Sequence, residues 1–122
     1  MKNKGALPGI SPYKIEILKQ LSEPKNISEI MRLVGISYKE TYRHIKELDE
    51  CLWIHKKKQK EEKHAPVLIT ISPAGKMILE LVSLKDMTEK ASTPDDVDDM
   101  ARAMLEAGKR MQKFKEEMLK AK

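Results

Sequence analysis

The strongest chemical signal in this 122-residue chain is a run of donor side chains between Ser37 and Lys46. Ser37, Tyr38, Lys39, Arg43 and Lys46 fall at spacings that a helix gathers toward one side. A guanidinium can pair with both major-groove acceptors of guanine, and ammonium groups neutralise phosphates. A serine at a helix start, with its neighbouring amides, can hold a phosphate. Tyr38 offers a hydrogen bond or a stacking face. His44 lies in the same run and is counted with these residues as a DNA contact, though it can also face solvent or a neighbouring helix. Glu47, Asp49 and Glu50 would repel phosphates, so that half of the helix should turn away. Glu40 lowers the local positive potential. An ordinary amphipathic surface helix fits this stretch, taken alone, equally well.

A second basic cluster follows. His55 to His64 contains Lys56, Lys57, Lys58, Lys60 and Lys63. A basic loop tip can straddle a minor groove and neutralise phosphates. Glu61 and Glu62 favour a merely solvated loop. Beside a helix rich in donors, DNA contact is the preferred reading for Lys57, Lys58, Lys60 and Lys63.

The third cluster is apolar. Val97, Met104, Met111 and Met118 recur every seven residues, and Met100, Ala107, Phe114 and Ala121 repeat three positions later. This is the a/d seam of paired helices. A helix of about 25 residues is about 37 Å long, too long to bury its stripe on so small a domain. The expectation is a homodimer through Val97, Met100, Met104, Ala107, Met111, Phe114 and Met118, with parallel or antiparallel pairing left open. Folding back onto the rest of the chain is the alternative. Methionine in the seam predicts an adaptable interface, and leaves room for an apolar ligand that no residue specifies.

These clusters need elements to position them. Ser11-Pro12 is a helix start, with serine as cap and proline in the first turn. Ile15, Leu18 and Leu21 give that helix a core stripe, with Ile17 on its flank. Pro24 lies in the break that follows. Asn26 or Ser28 caps a second helix carrying Ile27, Ile30, Met31 and Val34. Gly35 suits the positive φ of a tight turn. Ser37 and Glu40 have capping-box spacing for a third helix, Ser37 to about Leu52, whose core residues are expected to be Thr41, Tyr42, Ile45 and Leu48. Two β-prone runs, Leu52–His55 and Val67–Ile71, make a hairpin around the charged loop. Ser72-Pro73 opens a fourth helix to about Leu84. Thr93-Pro94 opens a fifth, with aspartates first and lysines last, as the helix dipole favours.

Two helices around a glycine turn, a third element, a hairpin and another helix together resemble the winged helix-turn-helix domain. More narrowly, the order is similar to the small bacterial and archaeal regulators of the MarR/ArsR/PadR type. The matching residues are Ile27-Ser28-Glu29-Ile30, Val34-Gly35-Ile36-Ser37 and Thr41 to Leu48, while Ile71-Ser72-Pro73-Ala74-Gly75-Lys76 resembles the step out of the wing. The resemblance covers roughly residues 11–84. It implies a mainly α fold with a small β-hairpin wing, a helix in the major groove, and regulation of transcription, most simply by blocking a promoter. The expected organisation is a winged domain over 10–84, a linker over 85–93 and a coiled-coil-like dimerisation helix over 94–122.

Composition bounds the alternatives. Net charge is +5, with +6 on residues 1–85 and −1 on the remainder. That is the footprint of a polyanion-binding domain with a near-neutral appendage. Aromatic content is 4%, so the core must be aliphatic. No apolar run is long enough for a membrane span, and the N-terminus has no apolar signal core. Cys51 is the single cysteine, so no internal disulfide forms, and a cytoplasmic location is expected. At a helix–strand junction Cys51 is expected to be buried rather than to sense oxidants. No cofactor, metal site or catalytic constellation is expected, hence no enzyme. Double-stranded DNA and a second copy of the chain are the expected partners. A protein-interaction scaffold and a sequence-neutral chromosomal architecture protein are the rivals.

Overall fold

The computed structural model describes residues 11–58 and 67–120. The order is α1 (Pro12–Gln20), α2 (Ile27–Val34), α3 (Tyr38–Glu50), β1 (Ile54–Lys58), β2 (Val67–Ile71), α4 (Pro73–Lys90) and α5 (Pro94–Lys120). The first helices are set by their caps. The Ser11 hydroxyl accepts from the Lys14 amide, and Pro12 begins α1. At α2 the full capping box belongs to Asn26 and Glu29: each side chain accepts from the other's amide, at 2.9 and 3.0 Å. Gly35 closes α2 with φ +79°, its amide donating to the Met31 carbonyl.

The core lies where α1, α2 and α3 meet the root of the hairpin. Ile17, Leu18, Leu21, Ile30, Ile45, Leu48, Ile54 and Ile69 are its buried members. Each such aliphatic side chain contributes about 1.5–3 kcal/mol on leaving water. Leu18 and Leu21 are buried as the spacing predicts, but Ile17 is fully buried and Ile15 only half-buried, so the stripe of α1 is centred nearer Ile17 than expected.

β1 and β2 pair antiparallel, from Ile54 with Ile71 to Lys58 with Val67. The strand starts two residues later than expected because Leu52 takes a left-handed conformation, φ +64°, in the turn after α3. The other edge of β2 is also engaged. Lys25, between α1 and α2, exchanges two backbone hydrogen bonds with Ile69, at 2.8 and 3.1 Å.

Ser72 ties the ends of the hairpin to α4. Its hydroxyl accepts from the Gly75 amide at 3.1 Å and donates to the Leu52 carbonyl at 2.7 Å, while its amide donates to the Trp53 carbonyl. Gly75 lies against Trp53, where a Cβ would sit 2.2 Å from the Trp53 carbonyl oxygen.

Most of the segment expected as a linker is helix. α4 continues to Lys90, and only Ala91 to Thr93 separate it from α5. The Thr93 hydroxyl accepts from the Asp96 amide, and the Asp96 carboxylate accepts from the Ser92 and Thr93 amides. This cap reverses the chain into an antiparallel α4–α5 hairpin. Along it Thr88 meets Met100, Glu80 pairs with Arg110, and Lys76 meets both Glu117 and the face of Phe114.

Candidate nucleic-acid interface

α3 has two faces of different chemistry. Thr41, His44, Ile45 and Leu48 point inward and are buried. Tyr38, Lys39, Tyr42, Arg43 and Lys46 point outward and are exposed. Among the described residues no carboxylate forms an ion pair with Lys39, Arg43 or Lys46.

The acidic residues of the same helix are engaged elsewhere. Glu47 forms a 2.7 Å ion pair with Lys14 of α1, and the hydrogen bond from Lys14 holds its carboxyl below the usual carboxylate range. Asp49 lies 3.5 Å from Lys56 of β1. The repulsion expected of Glu47 and Asp49 is therefore offset locally, while Glu50 is exposed at the end of the helix.

Ser37 is the N-cap, as expected, but only half of its capping box forms. Its hydroxyl accepts from the Glu40 amide at 3.1 Å, while the Glu40 carboxylate accepts from that hydroxyl and not from the Ser37 amide. Glu40 thus stands beside the same helix start that a phosphate would use.

His44 is not on the outward face. It is 4% exposed, with its ring 6.0 Å from that of Tyr13 and Nδ1 3.9 Å from the Glu47 carboxylate. Neither ring nitrogen has a hydrogen-bond partner among the described residues. Burial, then the positive charges of Lys14 and Arg43, push its pKa below the ordinary value. Burial disfavours the charged ring, and the side chain packs toward α1, which removes it from the expected DNA contacts.

Tyr42 errs the other way. Expected in the core, it is 54% exposed and lies parallel to Tyr38, with ring centroids 6.4 Å apart. Its position supplied the missing signal: four residues after Tyr38 and four before Lys46, both outward. On one side of it a cleft of about 400 Å3 opens between Tyr38, Ile27, Lys56 and Val67. On the other a hollow of about 350 Å3 is walled by Lys39, Glu40, Arg43 and Lys46.

In the wing, Lys56 and Lys57 stand exposed on β1 rather than in a loop. Lys58 pairs through its backbone with Val67, while its side chain, and all of Lys60 and Lys63, lie outside the described residues. Cys51 is exposed at the end of α3, not buried as expected. Among the described residues no cluster of three His, Cys, Asp or Glu side chains could hold a metal.

The expected α5 seam divides. Ala107 is 2% exposed, and Met100 and Phe114 are half-buried beside it. All three lie on the side facing α4, where the Met100 and Phe114 contacts and the Arg110–Glu80 pair hold the helices together. Ala107 is therefore a packing residue of the single chain and is unavailable to a partner. Val97, Met104 and Met118 remain exposed, joined by Leu105 and Leu119, which the heptad did not include.

No family model and no curated protein matches the sequence. Solved structures do match the fold. A probable transcriptional regulator from Pseudomonas aeruginosa superposes with TM-score 0.60 at 20% identity, over 84% of this chain and 80% of that one. A MarR-family transcriptional regulator from Silicibacter pomeroyi gives 0.56 at 13%, over 80% and 70%. The Bordetella bronchiseptica protein BpsR, whose DNA binding is described as regulated by 6-hydroxynicotinic acid, gives 0.59 at 13%, over 84% and 83%. The architecture is thus the winged helix of MarR-type regulators, mainly α with a two-stranded hairpin. α2 and α3 form its helix-turn-helix, and β1–β2 its wing.

Proposed function

We propose that the chain is a sequence-specific, double-stranded-DNA-binding regulator of transcription that acts as a homodimer in the cytoplasm and represses by blocking a promoter. One observation carries this reading. The outward face of α3 presents Lys39, Arg43 and Lys46, none of them in an ion pair among the described residues; Glu40 beside them accepts from the Ser37 hydroxyl, and Glu47 and Asp49 pair with Lys14 and Lys56. A helix with this face fits the major groove. Arg43 pairs with guanine, Tyr38 contacts an adjacent base, and Lys39 and Lys46 anchor phosphates. Lys56 and Lys57 of the wing add phosphate contacts beside them, extended by Lys58, Lys60 and Lys63. The solved structures that share the fold support the reading, since one is described as a transcriptional regulator, one as a probable transcriptional regulator and the third as binding DNA.

The second copy docks on the exposed stripe of α5, Val97, Met104, Leu105, Met118 and Leu119. A two-fold dimer sets two α3 helices to face successive major grooves about 34 Å apart.

Fluorescence anisotropy against the DNA upstream of the chain's own gene and a scrambled duplex tests the function. A preference of about a thousandfold is expected for an operator. Arg43→Ala should remove about 1–3 kcal/mol from specific binding and little from non-specific binding. Equal loss on both duplexes would refute base reading. Equal, salt-sensitive binding of all duplexes by the unaltered protein would indicate an architectural protein, and no binding at low salt a scaffold.

A further inference from the structure

We propose that Tyr42, together with Tyr38, reads the 5-methyl groups of thymine, so that T·A pairs at fixed positions belong to the recognised sequence. The inference rests on the DNA-binding reading above and adds a class of base contact and a residue to it.

Tyr42 is placed at the middle of the outward face, between Lys39 one turn before it and Lys46 one turn after it. Its ring and that of Tyr38 lie nearly parallel, tilted by 17°, and together form an apolar ridge along the helix. More than half of each side chain is open to solvent, although aromatic residues are scarce in this chain. Nothing within the fold requires two of its aromatic rings at this place, since the core beneath is closed by Thr41, Ile45 and Leu48.

The surroundings select the ligand. The cleft beside the ridge is lined mainly by carbon, with Ile27, Ile45, Val67 and Ile69 joining the two rings and Lys56 the one cation among its lining residues. An apolar cleft whose one lining cation, Lys56, is already beside Asp49 does not attract a phosphate to its centre, but it can take an uncharged apolar group carried on a polyanion. In the major groove that group is the thymine methyl, which projects beside the O4 acceptor. A ring face can pack on the methyl while a phenolic hydroxyl donates to O4. The lysines on either side then hold the backbone that brings the base there.

The test uses the full chain and a duplex selected from a random pool. Each thymine of the selected site is replaced singly by deoxyuridine, which lacks only the methyl, and binding is followed by anisotropy. At one or two positions per half-site the dissociation constant should rise about fourfold, the value of burying one methyl group. Tyr42→Ala should abolish the thymine–uracil difference at such a position, while Tyr42→Phe, which keeps the ring face, should retain it. Both substitutions are at an exposed site, and the uracil comparison on the unaltered protein stands without them.

A selected site whose thymines all tolerate uracil overturns the inference and leaves DNA binding intact. The same holds if the difference persists in both Tyr42→Ala and Tyr38→Ala. Failure to bind any duplex overturns the DNA-binding reading and this inference together; failure of selection to yield a preferred sequence overturns sequence-specific binding and this inference together.

Discussion

Gly75 shows how one missing side chain can fix a junction. A Cβ there would meet the Trp53 carbonyl oxygen at 2.2 Å and Ile71 Cγ1 at 2.7 Å, so backbone would have to move. Gly75→Ala should destabilise the fold by about 1–3 kcal/mol, the range of overpacking in a closed site, as read from urea unfolding. A cost near zero would mean the junction is loose. His44 makes a prediction of different kind. Its pKa is lowered in the fold, so the unfolded chain binds the extra proton first as pH falls. Stability should be complete above the unfolded value of about 6.5 and should fall as pH drops through it. Lys14, Arg43, Glu40 and Glu47 are the charges that act on the ring, and Glu47, itself held low, titrates in a separate and more acidic window. Between pH 7.5 and 5.5 the urea midpoint should therefore drop further for the unaltered protein than for His44→Leu. Parallel curves would show that the ring is not buried as a neutral group. From sequence, His44 and Tyr42 were both misplaced for the same reason. Polarity ranked histidine as a surface group and the aromatic ring as a core group, whereas the helical register decides both.

At the scale of elements, α5 is the informative case. It has one face on α4 and a second apolar stripe, Val97, Met104, Leu105, Met118 and Leu119, in the open. Leu105→Glu should shift the sedimenting species from dimer to monomer at tens of micromolar without loss of helical circular dichroism. An unaltered dimer would place the interface elsewhere, and a monomeric parent protein would end the dimer proposal. The seven-residue period of this helix was legible, but its meaning was not. The repeat records contact with α4 within the chain at Met100, Ala107 and Phe114, and only the alternate positions are left for a partner. Helix starts were legible wherever serine or threonine preceded proline, because the cap and the fixed φ are local physics. Ends were less so. Nothing between Lys85 and Lys90 stops a helix, and the Lys85–Glu89 pair reinforces it, so α4 ran through the expected linker. β1 moved because Leu52 takes a left-handed turn that its side chain does not advertise.

For the whole molecule, charge separates by function more finely than the totals of the two halves of the chain imply. Cations stand outward on α3 and β1, while Glu47 and Asp49 of the same helix are tied to Lys14 and Lys56 and Glu40 to Ser37. That division needed the packing of α1 on α3, which no local pattern encodes. The Lys25–Ile69 bridge also bears on something other than recognition. Val67-Leu68-Ile69-Thr70-Ile71 is the most β-prone and uncharged run in the chain. Left with a bare edge, it is the segment by which copies would stack into intermolecular sheet. β1 covers one side of this run, and the Lys25 backbone closes the other at its centre. Protection of this run from such stacking thus depends on the connection between α1 and α2, Leu21 to Asn26, in which Lys25 lies.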